Sequence, residues 1–325
     1  MKKFRSIEGL SKVFTTLRNQ AAYENRDFST LPKLNFTGTV KIHGTNAGMR
    51  IESASSTSIL PQGKDRELSF HSDNADFASY CMTIPSSVVQ ELYQAFNPSM
   101  KGVLTIFGEW AGAGVQNGVG VSNFEKHFVI FAAHVDDKYV QVNKNYKNHQ
   151  YRIYNIYEIP TYSIDIDFAN PGDIEDRLTA LTLDVEANCP WAVYRGSNGV
   201  GEGIVWHLTD DPCDTTYIFK VKGPLHSVRK SNTKKLATVN VEKVTSVNEC
   251  VDIILTENRM KQMVEVHKIE IIPENFSQFI KAVSLDCIKE ESDVLNANNL
   301  IWKDVSPTVI KRCKEWYFAH FNINP

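Results

Sequence analysis

Phe36-Thr37-Gly38-Thr39-Val40-Lys41-Ile42-His43-Gly44-Thr45-Asn46 is the stretch on which the reading of this chain turns. Phe36 to Ile42 has the composition and alternation of a strand, with a lysine near its end and a His-Gly-Thr turn directly after it. A lysine that acts as a nucleophile must shed its proton near neutral pH, which nearby cations and partial burial promote. Gly44 lets backbone approach a bound group closely. Alone, a Lys-x-His-Gly tetrapeptide is more often a surface turn. Three later segments give it weight: Phe107-Gly108-Glu109-Trp110, Glu202-Gly203-Ile204-Val205 and Lys220-Val221-Lys222. One lysine opens the series, two carboxylates follow, and a lysine pair closes it.

Working outward, Met49 to Ile51, Val103 to Phe107, Phe128 to Ala132, Gly203 to Leu208 and Thr216 to Lys222 read as further strands. Ser86 to Phe96 has helical spacing at Val88, Val89, Leu92 and Phe96, and Ile174 to Leu183 is a second short helix. No regular strand–helix–strand rhythm is present, so the expected class is α+β with antiparallel sheets. The character changes after Gly223-Pro224. Residues 221–240 hold Lys222, Arg229, Lys230, Lys234 and Lys235 and no acid. Helical spacing follows over Asn248 to Glu265, Asn275 to Val283 and Pro307 to Phe321, with Pro307 expected in a first turn, where its missing N–H is harmless. Residues 241–325 carry 10 Lys or Arg against 13 Asp or Glu, so the basic block reads as a collar ahead of a helical tail.

The chain has 325 residues, 42% hydrophobic and 10% aromatic, enough for about two domains with proper cores. A formal net charge of -3 excludes a polycation, so nucleic-acid binding would need a local patch. Cys81, Cys189, Cys213, Cys250, Cys287 and Cys313 form no C-x-x-C pair and no tight Cys/His cluster, which speaks against structural zinc and suits a reducing compartment. Met1-Lys2-Lys3-Phe4-Arg5 leads into a polar stretch, and no apolar run reaches the ~18 residues of a membrane span. A soluble cytosolic protein is expected.

Each motif residue has a chemical and an ordinary reading. Glu109 follows an apolar strand and precedes Ala111-Gly112-Ala113-Gly114. A carboxylate there can grip a ribose hydroxyl or help hold a metal, or it is a solvated glutamate in a glycine-rich turn. Those glycines do not spell G-x-G-x-x-G, and no G-x-x-x-x-G-K-[ST] occurs. Strand alternation would put Glu202, Ile204 and Trp206 on one face, a costly place for a charge unless it faces a site. Lys220 and Lys222 share a face and form a phosphate platform, or they guard an exposed edge strand. Phe131 can stack on a base or fill the core. His71, His127, His134 and His207 read as structural or solvent-facing.

In this order and at these spacings the segments resemble the covalent nucleotidyltransferase superfamily of polynucleotide ligases and RNA capping enzymes. His43 at the third motif position, Asn46, and Phe-Gly-Glu followed by Ala-Gly-x-Gly-x-Gln are similar more narrowly to the phage-type RNA ligase 2 family, which seals nicks in duplex RNA and includes the kinetoplastid editing ligases. The resemblance runs from about residue 35 to 225. It implies an ATP-grasp-like nucleotidyltransferase domain over 1–230 and a small all-α C-terminal domain over 231–325. Carried over by position, it implies Lys41 as the adenylylated nucleophile, with Ile42, His43 and Asn46 supporting the nucleotide. Glu109 would contact the ribose, Phe131 would stack on adenine, Glu202 would help bind the divalent cation, and Lys220 and Lys222 would hold phosphates. The family's arginine beyond the first motif is represented by Lys64 or Arg66, between which the sequence does not choose; a lysine there supplies charge but no bidentate fork.

The activity implied is ATP-dependent joining of RNA 3′-hydroxyl and 5′-phosphate ends through lysyl-AMP and an adenylylated RNA end, with Mg²⁺ or Mn²⁺. The implied RNA is duplex, the protein a monomer of phage type acting in a host cytoplasm. Arg229, Lys230, Lys234 and Lys235 are the first suspects for its phosphates, with salt-sensitive binding and a shape-read A-form duplex. A DNA ligase or a capping-type guanylyltransferase is the alternative, against which His43 stands, because those enzymes usually carry Asp there. A non-catalytic nucleic-acid-binding relative is a third.

Overall fold

A computed structural model describes residues 1, 3–136, 138–226, 247–291, 294–295 and 300–321. The chain divides into two compact units, Met1–Val221 and Lys222–Pro325. The boundary expected at 230/231 lies outside the described residues, as do Arg229, Lys230, Lys234 and Lys235.

The first unit is built on two sheets of mainly antiparallel strands, as expected for the α+β class. One has the order β10 (Phe219–Lys222), β9 (Gly203–Leu208), β1 (Lys33–Lys41), β8 (Tyr162–Asp167). The other runs β3 (Leu60–Gly63), β2 (Thr45–Ile51), β4 (Leu104–Ala111), β5 (His127–Val135), β6 (Lys138–Val140), with β7 (Ile153–Asn155) added parallel to β5. β1 and β2 are consecutive yet belong to different sheets, so the Ile42–His43–Gly44 turn carries the chain from one to the other.

Alternation sets the faces of both sheets. In the first, Phe36 packs edge-on against Phe168 and Phe219, whose ring centroids are 6.2 and 5.2 Å away. Helix α1 (Leu10–Tyr23) buries Val13, Phe14, Leu17 and Ala21, with Phe14 against Phe168 at 4.7 Å. This helix was not expected from the sequence, where polar residues separate its few apolar positions. In the second sheet, Ala47, Met49, Ile51, Leu104 and Ile106 share a core with α2 (Phe77–Cys81) and α3 (Ser86–Phe96). α3 sits over the residues expected and buries Val88, Val89, Leu92, Tyr93 and Phe96, the Val, Leu and Phe side chains each worth about 1.5–3 kcal/mol once removed from water. The faces left over carry Thr37, Thr39 and Lys41 on one sheet and Asn46, Phe107 and Glu109 on the other, and these form the candidate site. Helices α4 (Ile174–Ala187) and α5 (Pro190–Tyr194) lie in the segment before β9; α4 runs a turn beyond the expected Leu183.

The second unit is helical: α6 (Val247–Ile254), α7 (Glu257–Val266), α8 (Phe276–Glu290) and α9 (Trp302–Phe321). The expected continuous helix over Asn248 to Glu265 is broken because Thr256 caps a new one, its hydroxyl accepting from the Arg259 amide at 3.1 Å. Pro307 is inside α9, not in its first turn, since the helix starts earlier, where Asp304 accepts from the Ile301 amide at 2.8 Å. The core contains the fully buried Arg259, whose guanidinium meets Asp286 at 2.9 Å, Glu291 at 2.6 Å and the Ile254 carbonyl. No helix among the described residues is long and apolar enough to cross a membrane.

Candidate active site

Lys41 is the last residue of β1, opposite Gly203 of β9. Its Nζ lies 2.6 Å from Glu202 Oε2, and His43 Nδ1 lies 3.1 Å from the same oxygen. The Glu202 side chain is 2% exposed and that of Lys41 22%. A carboxylate so buried requires a cationic or hydrogen-bonding partner, and the turn supplies it.

The period-two expectation for Glu202 does not hold. Ile204 and Trp206 are in the core, whereas Glu202 precedes the strand. Gly203, at φ 152°, breaks the alternation between them, and the carboxylate reaches Lys41. The segment ahead of it is fastened at several points. The Gly199 carbonyl accepts from the Cys189 amide at 2.8 Å, the Val200 carbonyl accepts from the Gly120 amide at 2.8 Å, and the Gly201 amide donates to the Glu186 backbone carbonyl at 3.2 Å. Gly199 and Gly120 touch backbone to backbone: a Cβ on Gly199 would lie 2.6 Å from the Gly120 Cα.

Glu109 stands opposite Asn46 in the β2–β4 register, so both project on the site face. Glu109 Oε1 accepts the Gly44 amide at 3.1 Å, and Gln116 Nε2 donates to the Gly44 carbonyl at 3.2 Å. The turn is therefore gripped at both polar ends of one residue. That residue has to be glycine, because a Cβ would lie 2.3 Å from the Trp110 carbonyl oxygen. The close approach is to the chain's own β4. Thr45 beside it accepts from Asn74 at 3.0 Å. Asn74 and the gripping action of Gln116 were missed at the sequence level. The only available signal was the glutamine closing the glycine-rich run 112–116.

Phe131 sits at a register shift between β4 and β5, where Gly108 pairs with Ile130 and Phe107 with Ala132. Its ring and that of Phe107 both meet Phe4, at 5.1 and 5.3 Å. Phe131 also lines a cavity of about 200 Å³ together with Tyr139, Lys144, Tyr157, His207 and Thr209. Burial, with Lys144 contributing, holds His207 down to about 4, and burial, with Cys213 contributing, raises Tyr157 to about 12.

Phe219 is packed in the core on Phe36 and Trp206. Alternation then turns Lys220 to the opposite face of β10, the face that carries Lys41 on β1. Lys222 ends that strand. The Lys220 amide donates to the Glu8 carbonyl at 2.9 Å, tying the N-terminal segment to the sheet edge. Arg66 is occupied within its own loop, its guanidinium donating to the Ser72 carbonyl at 2.6 Å, the Ser72 hydroxyl at 2.7 Å and the Asp73 carbonyl at 2.8 Å. Lys64 is half-buried just beyond β3. The structure thus brings Lys41, His43, Glu109, Gln116 and Glu202 around one turn. Asn46 lies on the adjoining face and Phe131 further along it.

Among solved structures, this chain is similar to Naegleria gruberi RNA ligase. A lysine-to-methionine mutant with AMP and Mn matches at 14% identity and a TM-score of 0.42, covering 69% of this chain and 56% of that one. An arginine-to-alanine mutant with ATP and Mn matches at 15% and 0.43 over the same shares, and the protein with PPi at 16% and 0.42. The chain thus spans little more than half the length of those neighbours. No family model and no curated protein matches it.

Proposed function

We propose that this chain is an ATP-dependent RNA ligase of the RNA ligase 2 type, joining 3′-hydroxyl and 5′-phosphate ends, with nicks in duplex RNA as its substrate. The observation that carries the reading is the Lys41 amine held 2.6 Å from Glu202 at a sheet-to-sheet turn that Glu109 clamps. A lysine bound to a buried carboxylate at the junction of two sheets, with polar groups converging on its turn, is placed for chemistry and not for solvation.

In this reading Lys41 must lose its proton before it attacks the α-phosphate of ATP. The new N–P bond forms as pyrophosphate leaves. AMP then passes to the 5′-phosphate of an RNA end, and the neighbouring 3′-hydroxyl displaces it to form the phosphodiester. Each step is phosphoryl-type transfer, in which positioning and charge neutralisation carry the catalysis. Glu202 orients Lys41. Glu109 and Gln116 fix the turn, and Glu109 is positioned to take a ribose hydroxyl. Lys220 and Lys222 face phosphates, and Lys64 takes the cationic role beyond the first motif, because Arg66 is committed to its loop.

Among the described residues no cluster of three His, Cys, Asp or Glu forms a ready-made metal cage. Mg²⁺ is commonly held by one or two carboxylates plus substrate phosphates, and Glu202 fits as that carboxylate. When bound, Mg²⁺ or Mn²⁺ would neutralise phosphate charge. Residues 1–230 would form the adenylyltransferase domain and 231–325 a helical appendage. RNA phosphates would dock on Arg229, Lys230, Lys234 and Lys235.

The test is incubation with α-labelled ATP or GTP and a divalent metal, followed by a denaturing gel. A band from ATP that is lost in Lys41→Ala is expected. Labelling by GTP would favour a capping-type enzyme, and no label with either a non-catalytic binder. Sealing of nicked duplex RNA, set against nicked DNA and single strands, then tests the substrate.

A further inference from the structure

The cavity beside Phe131 has one wall whose hydrogen-bonding sense is fixed by the fold. His207 Nδ1 lies 2.8 Å from the Thr37 backbone carbonyl. A carbonyl oxygen only accepts, so Nδ1 carries the imidazole proton and Nε2 is left with a lone pair. Tyr157 Oη lies 2.9 Å from that Nε2, so the phenol must donate to it. Burial keeps His207 neutral and Tyr157 protonated at neutral pH, which leaves the relay in this one sense. With its proton committed, the Tyr157 oxygen can offer a cavity ligand only an acceptor.

The remaining walls narrow the ligand. Phe131, Tyr139 and Tyr157 supply aromatic surface. At about 200 Å³ the cavity is smaller than the ~300–1,000 Å³ that encloses a drug-sized ligand, and suits a single planar ring system. The Lys144 ammonium stands 4.7 Å from the Tyr157 ring centroid, over the ring's face and not at its hydroxyl. Thr209 Oγ1 is 2.8 Å from Thr37 Oγ1.

We infer that this cavity is a base-reading pocket in which the Tyr157 oxygen, fixed as an acceptor through His207 and Thr37, selects a nucleobase edge bearing an amino N–H over one bearing a carbonyl. The inference rests on the ligase reading above and deepens it: among purine nucleotides it makes the 6-amino group the feature read. A 6-oxo group would set two acceptors face to face, and a purine without a 6-substituent would leave the Tyr157 oxygen unpaired.

The experiment compares the second-order rate of protein labelling with ATP, GTP and purine riboside triphosphate, which lacks any 6-substituent, in the wild type and in Tyr157→Phe. The wild type should favour ATP over purine riboside triphosphate by about 3–10-fold, the worth of one neutral hydrogen bond, with GTP slower still. In Tyr157→Phe the ATP and purine riboside rates should converge to within about twofold. Each ratio is internal to one protein, so partial unfolding of the variant cancels. Calorimetry of AMP and purine riboside monophosphate on Lys41→Ala, with and without Tyr157→Phe, reads the same discrimination without chemistry. Labelling by ATP with a ratio unmoved by Tyr157→Phe overturns this inference and leaves the ligase reading standing. No labelling by any nucleotide together with no AMP binding overturns both.

Discussion

Glu109 Oε1 accepts the backbone amide of Gly44 at 3.1 Å, so a carboxylate on one sheet holds the turn that leads out of the other. The turn lies against β4 closely enough that position 44 has no room for a Cβ. Gly44→Ala should therefore displace Lys41 as well as strain the fold. We expect a loss of about 1–3 kcal/mol in urea unfolding, typical of overpacking, and at least about a 100-fold drop in labelling by ATP, as ångström-scale misplacement can cause. Labelling within a few-fold of wild type would show that the turn's position is not critical.

Lys41 and Glu202 form a partly buried pair, and removing Lys41 leaves the buried carboxylate with His43 but without its ammonium partner. Lys41→Ala should abolish labelling and cost about 1–3 kcal/mol, discounted from a fully buried pair because the amine is partly exposed. Adding Glu202→Gln to Lys41→Ala should recover part of that stability while labelling stays absent. A double-mutant cycle in urea checks this. Purely additive losses would mean that the two side chains are not coupled.

His127 is fully buried, accepting from Trp191 Nε1 at 3.0 Å, with Nδ1 2.8 Å from the Glu125 carbonyl. Burial first, then Arg195 and Arg152, hold it down to about 4 against the opposing Glu125 carbonyl. A folded value below the unfolded 6.5 means that the unfolded chain binds the proton first as pH falls. This contribution to stability is therefore intact above pH 6.5 and is lost between 6.5 and 4, by roughly 3 kcal/mol in all. Urea midpoints at pH 7, 5.5 and 4.5 should fall, and His127→Gln should flatten that part of the slope. An equal slope in the variant would assign the loss to other groups.

In the helical unit, Arg259 is surrounded by Asp286, Glu291 and the Ile254 carbonyl with no exposure of its own. Arg259→Leu leaves the fully buried Glu291 without its guanidinium and should cost about 3–5 kcal/mol. Arg259→Leu combined with Glu291→Leu should cost less than the single change. Thermal unfolding of the 325-residue chain followed by amide exchange in α6 to α8 reads both.

Where a periodic apolar pattern decided the geometry, the sequence was a good guide. Ser86 to Phe96 and Gly203 to Leu208 were legible to the residue, because an apolar stripe and an alternating run leave little choice. The convergence of Lys41, His43, Glu109 and Glu202 was legible as a set of motifs, though not its form. Period-two reasoning failed at Glu202, since it cannot anticipate a glycine at positive φ. α1 was missed because its buried face is narrow, and Pro307 was misplaced because Asp304 starts the helix earlier. The roles of Gln116 and Arg66 depend on contacts 72 and 6 residues away in sequence, and only the folded chain reveals them.

The backbone contact between Gly120 and Gly199 has a bearing on how this site can vary. Each position is crowded by the other's main chain, and Ala192 crowds position 120 as well. A second substitution cannot compensate for the first, since both would thrust a methyl group into the same gap. The loop that delivers Glu202 therefore sits at the end of a mutational cul-de-sac. Departure from glycine at either position requires the two loops to part, and the carboxylate would move with them.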